Sequence, residues 1–365
     1  MKKIMFYINA IHDGGAERVM INLTKYFSEV GYDTILVTSF RDKWEYAVPE
    51  HVKRLSLENA EIKQARWKRN LSRICKLRKL CKKEKPDLLI SFMAEPNFRA
   101  LIATIGLPVK NLVSVRNDPE KEYGGTIGYL VGKLLLPLAD GCVFQTEEAK
   151  KWFPQKLQRK SQIIYNSVKE DFYHVQRKPH KREIVTCGRL EKQKNHALLI
   201  QAFANVVKKY PDATLKIYGE GSLKEMLQNK INELDLQGKA FLMGATNHVE
   251  KILETADLFV LSSDFEGMPN ALMEAMAAGV PCIATDCPCG GPRELFGRSL
   301  LKQLVDVDNI ESMTNCIEKT ICKENTINIR IIENQLKNRA NHFSPDRVNE
   351  SWESYINKLT TERSQ

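Results

Sequence analysis

The chain has 365 residues, 43% of them hydrophobic and 27% charged, which excludes a disordered composition and gives enough length for two domains with their own cores. Lys and Arg outnumber Asp and Glu by 55 to 45, yet the segment 61–85 alone carries eleven basic residues against two acids. The rest of the chain is nearly neutral, which excludes a protein that coats nucleic acid with its whole surface and points to one anionic docking site.

No long apolar run occurs, so no membrane-spanning helix is expected. The amino terminus, Met1-Lys2-Lys3 followed by Ile4-Met5-Phe6-Tyr7-Ile8, is too short in apolar residues for a signal peptide and reads as a first strand. Nine scattered cysteines without an export signal point to reduced thiols in a cytoplasmic compartment. The one close pair, Cys287-Pro288-Cys289, has no matching His or Cys pair and is read as structural rather than as a metal site.

In chain order, short apolar runs at 4–9, 34–39, 88–91, 112–115, 141–146 and 163–165 read as strands buried on both faces. The first strand leads into a helix whose apolar face is Val19, Leu23 and Phe27. The basic segment 61–85 is expected to be an amphipathic helix. At about 100° per residue, Trp67, Leu71, Ile74, Leu77 and Cys81 share one side, while Arg66, Arg69, Arg73, Lys76, Lys79 and Lys83 lie opposite. From 169 to 182 the chain turns polar and basic, with Pro179, and is read as a linker. The alternation resumes with strands at 184–187, 215–218, 240–243, 258–261 and 282–284, and with helices near 196–209, 223–234, 249–255 and 271–278. Residues 344–365 read as a C-terminal helix, capped by Ser344 or Asp346 with Pro345 in its first turn, packing back on the N-terminal domain. The expectation is an α/β protein of two Rossmann-like, doubly wound domains, 1–168 and 183–343, facing a central cleft.

Chemistry is expected at strand ends. Asn9-Ala10-Ile11-His12-Asp13-Gly14-Gly15-Ala16-Glu17-Arg18 joins the first strand to its helix, and paired glycines there let backbone N–H groups approach an anion. A tight turn without a ligand is the alternative. No P-loop lysine motif is present, which argues against nucleotide hydrolysis of that kind. Cys187-Gly188-Arg189-Leu190-Glu191-Lys192-Gln193-Lys194-Asn195 follows another strand. Arg189 and Lys194 near a helix N-terminus suit a diphosphate, and a solvated basic loop is the blander alternative. The sharpest run is Ser262-Ser263-Asp264-Phe265-Glu266-Gly267-Met268-Pro269-Asn270, continuing through Glu274 to Gly279-Val280-Pro281. It places one carboxylate in a loop and a second, eight positions on, within the following helix.

This run resembles the fingerprint of the retaining nucleotide-sugar glycosyltransferases of family 4, which have the two-domain GT-B architecture. The resemblance extends to Gly14-Gly15-Ala16-Glu17, Gly188-Arg189-Leu190 through Lys194, Gly219-Glu220-Gly221, Gly244 and Pro292-Arg293-Glu294, and so covers nearly the whole chain. It implies that Glu266 accepts hydrogen bonds from the donor sugar and that Gly267, Met268, Pro269 and Asn270 lie beside sugar and diphosphate. It further implies that Glu274 binds the ribose and that Arg189 and Lys194 neutralise the leaving group. Gly15 and Gly188 would lie near the phosphates, and Gly244 would flank the base. No metal or other cofactor is implied, and Asp306-Val307-Asp308 is read as a helix cap rather than a metal motif.

One departure stands out. Many relatives carry a His facing the donor sugar, whereas this chain reads Ser114-Val115-Arg116-Asn117-Asp118-Pro119. Arg116 or Asn117 for sugar or acceptor contact, Asp118 at the acceptor hydroxyl, and His12 near the acceptor are the alternatives. Similar transferases extend polyprenyl-pyrophosphate-linked glycans and carry comparable basic helices. Arg66, Arg69, Arg73 and Lys76 are accordingly expected to dock a lipid-linked pyrophosphate or an anionic membrane surface, without nucleic acid as a partner. The expectation is a peripheral inner-membrane enzyme, in the cytoplasm, moving a hexose or N-acetylhexosamine from a UDP-sugar to a lipid-linked acceptor in surface polysaccharide assembly. A nucleotide-sugar epimerase on the same fold and a catalytically silent, membrane-tethered subunit are the alternatives; the basic helix speaks against the first and the intact Glu266, Glu274, Arg189 and Lys194 against the second.

Overall fold

The computed structural model describes residues 2–12, 14–43, 45–61, 63–178, 182–322 and 326–361. The chain divides into two compact units, residues 1–166 with 348–365 and residues 167–347. Each is built on a parallel sheet flanked by helices, the Rossmann-like architecture that alternating strand and helix patterns call for.

The first unit contains β1 (Lys3–Ile8), β2 (Asp33–Thr38), β3 (Lys53–Ser56), β4 (Leu88–Phe92), β5 (Lys110–Ser114), β6 (Gly141–Phe144) and β7 (Ser161–Ile163). They run in the order β3-β2-β1-β4-β5-β6-β7, every neighbouring pair parallel. β1 and β4 are interior and nearly all apolar, because helices cover both faces: Ile4, Phe6 and Ile8 enter one core, Met5 and Tyr7 the other. The second unit contains β8 (Glu183–Cys187), β9 (Thr214–Tyr218), β10 (Ala240–Gly244), β11 (Leu258–Leu261), β12 (Cys282–Thr285) and β13 (Leu304–Val305), ordered β10-β9-β8-β11-β12-β13. In each sheet the order reverses beside the first strand, between β1 and β4 and between β8 and β11. The carboxyl ends there are where open α/β sheets place their ligands.

Three short edge elements, β3, β7 and β13, depart from expectation. Two of them, Lys-Arg-Leu-Ser in β3 and Leu-Val in β13, are too polar or too short to signal a strand. β7 begins two residues before the expected 163–165.

The linker read at 169–182 is not a free connector. Val168 N–H donates to Phe343 O at 3.0 Å, Phe172 is buried, and Arg177 donates to Gly279 O at 2.9 Å and to Ala256 O at 2.8 Å. Residues 167–178 therefore belong to the second unit, while 179–181, including Pro179, lie outside the described residues. The C-terminal helix Pro345–Thr361 returns to the first unit. Trp352 is fully buried and stacks on Phe92, and Tyr355 Oη accepts the Cys142 N–H at 3.1 Å. A Cβ at Gly141 would lie 2.7 Å from Tyr355 Oη, so this docking requires glycine at the start of β6.

The basic segment forms α2 (Arg66–Glu84) but is rotated from the expected face. Arg73, Leu77, Cys81 and Glu84 are buried, while Trp67 and Leu71 are exposed. The cause is electrostatic. Glu58, buried two residues after β3, receives Arg73 Nε at 2.9 Å and Nη2 at 2.7 Å, with Lys76 Nζ at 3.4 Å. Asn70 of the same face receives Arg99 Nε at 2.8 Å from α3 (Ala94–Ala103). A buried carboxylate needs a cation more than Trp67 needs burial, so the helix presents arginine inward.

Replacing Arg73 by Ala leaves Glu58 short of its closest charge. Stability should fall by about 3 kcal/mol, read as a lower urea midpoint at unchanged slope. Lys68→Ala, on the exposed face of α2, should stay within about 0.5 kcal/mol of the parent. Equal effects would contradict the rotated placement.

Candidate active site

In the second unit two loops leave the carboxyl ends of β8 and β11 and are laced together. Asp264 N–H donates to Gln193 O at 2.8 Å, and Gln193 Nε2 donates to Phe265 O at 2.9 Å. Ser262 Oγ donates to Lys194 O at 2.9 Å. Asn195 adopts left-handed backbone, caps the helix His196–Lys209 by accepting Leu198 N–H, and donates to Asp264 Oδ1 at 2.7 Å. Adjacent strands bring the loops together, and their own side chains then fix them.

This lacing sets the charges. Lys194 Nζ lies 2.5 Å from Glu266 Oε1, which also accepts Ser263 Oγ at 2.7 Å. Both members of the pair are largely enclosed, and the Lys194 stem runs over Gly188, where a Cβ would meet its carbons at 3.3 Å. Arg189, the next residue, is exposed, with a long side-chain contact at 3.5 Å to Gln193 Oε1. Gly219, at φ +150°, leaves no space for a Cβ because the carbonyl of Gly188 sits there; the β8 and β9 loops meet backbone to backbone.

Glu266, Gly267, Met268 and Pro269 are buried and lead directly into the helix Asn270–Ala277. That N-terminus has no side-chain cap, so its first N–H groups, starting at Asn270, are directed to what lies before it. Glu274 is buried one turn further on and faces the end of β8, where its charge and burial push the Cys187 thiol up to about 12, burial being the larger cause. The helix Gly291–Phe296 closes the back of the loop: a Cβ at Gly291 would collide with Gly267 O and lie 3.2 Å from Pro269 Cδ. Gly244 ends β10 at φ +77° and accepts Gly219 N–H at 2.9 Å. The structure thus brings Gly188, Lys194, Glu266, Gly267, Met268, Pro269 and Asn270 into one constellation, with Arg189 at its exposed side.

Sequence reasoning missed His196. It is buried at the first turn of its helix, and desolvation lowers it to about 4 against the backbone of Gly188 and Arg189, with Lys194 also disfavouring its charged form. It is a neutral ring behind the loop 188–195, and its position directly after the Asn195 cap is the signal that was available. The Asp306-Val307-Asp308 reading is also corrected. The cap of the helix Ile310–Ile321 is Asn309, which accepts Ser312 N–H at 2.8 Å, while Asp308 Oδ1 accepts Asn195 Nδ2 at 2.9 Å.

In the first unit, Gly15 is exposed at the start of α1 (Gly15–Glu29), and His12 is exposed with Nδ1 at 3.6 Å from Asp42. After β5, Asp118 is buried and accepts Glu120 N–H at 3.0 Å as the cap of the short helix Pro119–Glu122. It is a structural cap. Arg116 is buried over the Phe92 ring, its centre 4.6 Å away, with Nη2 on Asn166 Oδ1. Burial lowers it to about 9, while Glu122 and Glu17 counter that. Asn117 is the half-buried member of the three. Glu122 Oε2 accepts the N–H groups of Arg116 and Asn117, each at 3.3 Å. Burial raises its carboxyl to about 7, against the opposing pull of these N–H groups, that of Ala94, and Arg116.

Among the four cations expected to dock an anion, Arg73 and Lys76 are bound to Glu58. Arg69 lies 3.6 Å from Glu61. Arg66 is exposed but bonded to Glu95 at 2.8 Å, and Glu95, which burial alone would raise, is held low by Arg99, Arg66 and Arg69 together. The structure does not gather these four into an open anion site.

The family model for Glycosyltransferase Family 4 matches residues 13–172, and that for Glycosyl transferases group 1 matches residues 168–340. A Campylobacter jejuni protein, N-acetylgalactosamine-N,N'-diacetylbacillosaminyl-diphospho-undecaprenol 4-alpha-N-acetylgalactosaminyltransferase, is 31% identical over 95% of this chain and 97% of its own. A second from that organism, GalNAc-alpha-(1->4)-GalNAc-alpha-(1->3)-diNAcBac-PP-undecaprenol alpha-1,4-N-acetyl-D-galactosaminyltransferase, is 24% identical over 96% and 97%. Among solved structures, Anabaena HepE in complex with UDP-glucose shares the fold with a TM-score of 0.81 at 17% identity, covering 98% of this chain and all of that one.

Glu122 gives a pH signature. Its folded value lies above the ordinary carboxyl value of 4.5, so its contribution is fully present at low pH and is lost as pH rises toward about 7. Arg116, Tyr123 and Cys142 are the titratable neighbours it faces. The stability of the parent relative to Glu122→Gln should therefore fall between those two pH values and level off above. A difference flat across that window, in urea midpoints at matched pH, would refute the assignment.

Proposed function

Since the chain belongs to glycosyltransferase family 4, we propose that it transfers a hexose or N-acetylhexosamine, GalNAc foremost, from a UDP-sugar to a polyprenyl-diphosphate-linked glycan in bacterial surface polysaccharide assembly, with the anomeric configuration retained. The observation that carries this is the Lys194–Glu266 pair, fixed by Ser263 beside the uncapped N-terminus of Asn270–Ala277. It combines an acceptor for sugar hydroxyls with two sources of positive potential for a leaving diphosphate. The Campylobacter relatives, whose names specify diphospho-undecaprenol-linked acceptors, support the acceptor class, and the HepE complex supports UDP as the carrier.

The chemistry follows from charge. The bond between the anomeric carbon and the diphosphate oxygen breaks with its electron pair going to the oxygen. The acceptor hydroxyl bonds to that carbon from the same face and passes its proton to a diphosphate oxygen. Negative charge grows on the leaving group, where Arg189, Lys194 and the N–H groups at Asn270 meet it without reorganising. Glu266 accepts from the sugar hydroxyls and Glu274 from the ribose, which positions the donor. These cations supply what a divalent metal supplies elsewhere, so the reaction is read as metal-independent.

In the first unit, the exposed face of α2 carries Trp67, Leu71, Lys68, Lys79, Lys82 and Lys83. We assign to this face, in place of Arg73 and Lys76, the attraction to an anionic inner-membrane surface.

Glu266→Ala should abolish transfer and, because it leaves the enclosed Lys194 without its carboxylate, lower the thermal transition, while Arg189→Ala, at an exposed position, should reduce kcat/KM by about 10² to 10³ with the transition unchanged. Full activity in either would remove it from the site. Product analysis by NMR should show the donor's anomeric configuration, and turnover should persist in excess EDTA. Inversion, or abolition reversed by added metal, would overturn those two parts of the mechanism separately.

A further inference from the structure

In the first unit the ends of β4 and β5 are tied together. Ser114 O accepts Met93 N–H at 3.1 Å and Asn97 Nδ2 at 2.9 Å. Met93, at φ +76°, turns the chain from β4 into α3, and its own side chain gives that helix no cap. The Glu122 carboxyl stands beside this junction. Its Oε2 takes the N–H groups of Arg116 and Asn117, each at 3.3 Å, and the N–H of Ala94, the first residue of α3, also faces it. One carboxyl thus serves the ends of two adjacent strands. They lie next to the reversal of strand order between β1 and β4, where open sheets take ligands at the carboxyl ends.

Of the polar groups arranged there, one donor is left over. Arg116 is engaged with Asn166, and Asp118 accepts Glu120 N–H at 3.0 Å. Asn117 is fixed at two atoms, its N–H by Glu122 and its Oδ1 by Asp118 N–H at 2.9 Å. Its Nδ2 has no partner among the described residues, and the side chain is half-buried rather than enclosed. Holding Oδ1 also fixes the direction of the amide, so its NH2 group is a donor set in place. Such a group offers two N–H bonds and no charge. It matches a neutral oxygen, the hydroxyl or acetamido carbonyl of a sugar. A phosphate would call for the charged, bidentate fork of an arginine, and Arg116, the arginine of this loop, is turned inward over Phe92.

We propose that Asn117 contacts the acceptor glycan, its Nδ2 donating to a hydroxyl or acetamido oxygen, and that Glu122 is the positioning residue that sets this donor. That the sugar belongs to an acceptor rests on the proposed function; that the amide meets a sugar does not. Lys194, Glu266 and Glu274, the groups assigned to the donor, all lie in the second unit, and the strand ends of the first unit are left for the other substrate. Glu122 acts at one remove. Without it two consecutive N–H groups lose their acceptor, and the turn that carries Asn117 loses its constraint. A donor fixed before binding costs less ordering when the ligand arrives, so the effect of Glu122 belongs to acceptor binding and not to the bond-breaking step.

The test pairs kinetics with a binding measurement that needs no turnover. Asn117→Asp keeps the oxygen that holds Asp118 N–H and removes the donor. Its acceptor KM should rise about tenfold, with donor KM, kcat and the thermal transition close to the parent's. Glu122→Gln keeps an oxygen for the two N–H groups and should hold the parent's acceptor KM. Glu122→Ala should raise it as Asn117→Asp does, and combining the two should add nothing further. A parent-like acceptor KM in Asn117→Asp, or a rise confined to the donor KM, would overturn the contact. Additive effects, or no rescue by glutamine in a folded variant, would overturn the role of Glu122. The binding measurement is heteronuclear NMR of the full chain titrated with methyl α-N-acetylgalactosaminide. The side-chain NH2 signals that Asn117→Asp deletes should shift, and signals that stay in place would overturn the contact. A shift without transfer by the parent from any UDP-sugar faults the proposed function and leaves the sugar contact standing, while transfer with unmoved signals and an unchanged KM faults the contact alone.

Discussion

The Lys194–Glu266 ion pair is the interaction on which the candidate site depends. An enclosed pair of this kind is costly to desolvate, and by itself it adds little to stability. It persists because everything around it is already fixed. β8 and β11 are neighbours in the sheet, Gln193 and Phe265 exchange hydrogen bonds across the loops, Ser263 supplies the second donor to Glu266, and Gly188 leaves the lysine stem its path. The result is a cation that cannot relax away from its position. Such a cation stabilises charge that develops during a reaction better than a mobile one, because no reorganisation is needed as the charge grows.

The topology and the central strands were readable because parallel sheets covered on both faces demand continuous apolar runs, as in Ile4 to Ile8 and Leu258 to Leu261. The loops after β8 and β11 were readable as candidate sites for a related reason: glycines, a proline and Glu266 are clustered at strand ends. What sequence could not convey is pairing at a distance. The α2 wheel, taken alone, favours Trp67 and Leu71 inward. Glu58, eight residues before the helix begins, reverses the choice by burying a carboxylate that Arg73 must neutralise. Periodicity measures hydrophobicity along one element and is blind to a charge on another.

The same limit explains the loop after β5. Arg116, Asn117 and Asp118 are adjacent in sequence and chemically similar in promise, yet they do three different things. Asp118 caps a short helix, Arg116 lies inside over Phe92, and Asn117 alone stays half-buried. Glu122 decides this by taking the N–H groups of both Arg116 and Asn117. A carboxyl that binds two consecutive backbone donors imposes the turn, and the turn then directs the side chains. No local motif announces it, because a Glu in Pro-Glu-Lys-Glu reads as a solvated helix end.

Charge also divides differently from the net count. Much of the positive surplus of 61–85 is spent internally: Arg73 and Lys76 on Glu58, Arg66 on Glu95, and Arg78 on the carbonyls of Ala103 and Ile105. A cation already bonded to a carboxylate attracts a distant anion weakly, since the pair is nearly neutral beyond a Debye length of about 8 Å. In the proposed function, long-range attraction to an anionic surface falls to the exposed lysines of α2. It supplies orientation and local concentration but not depth, because strongly hydrated ammonium groups do not enter hydrocarbon.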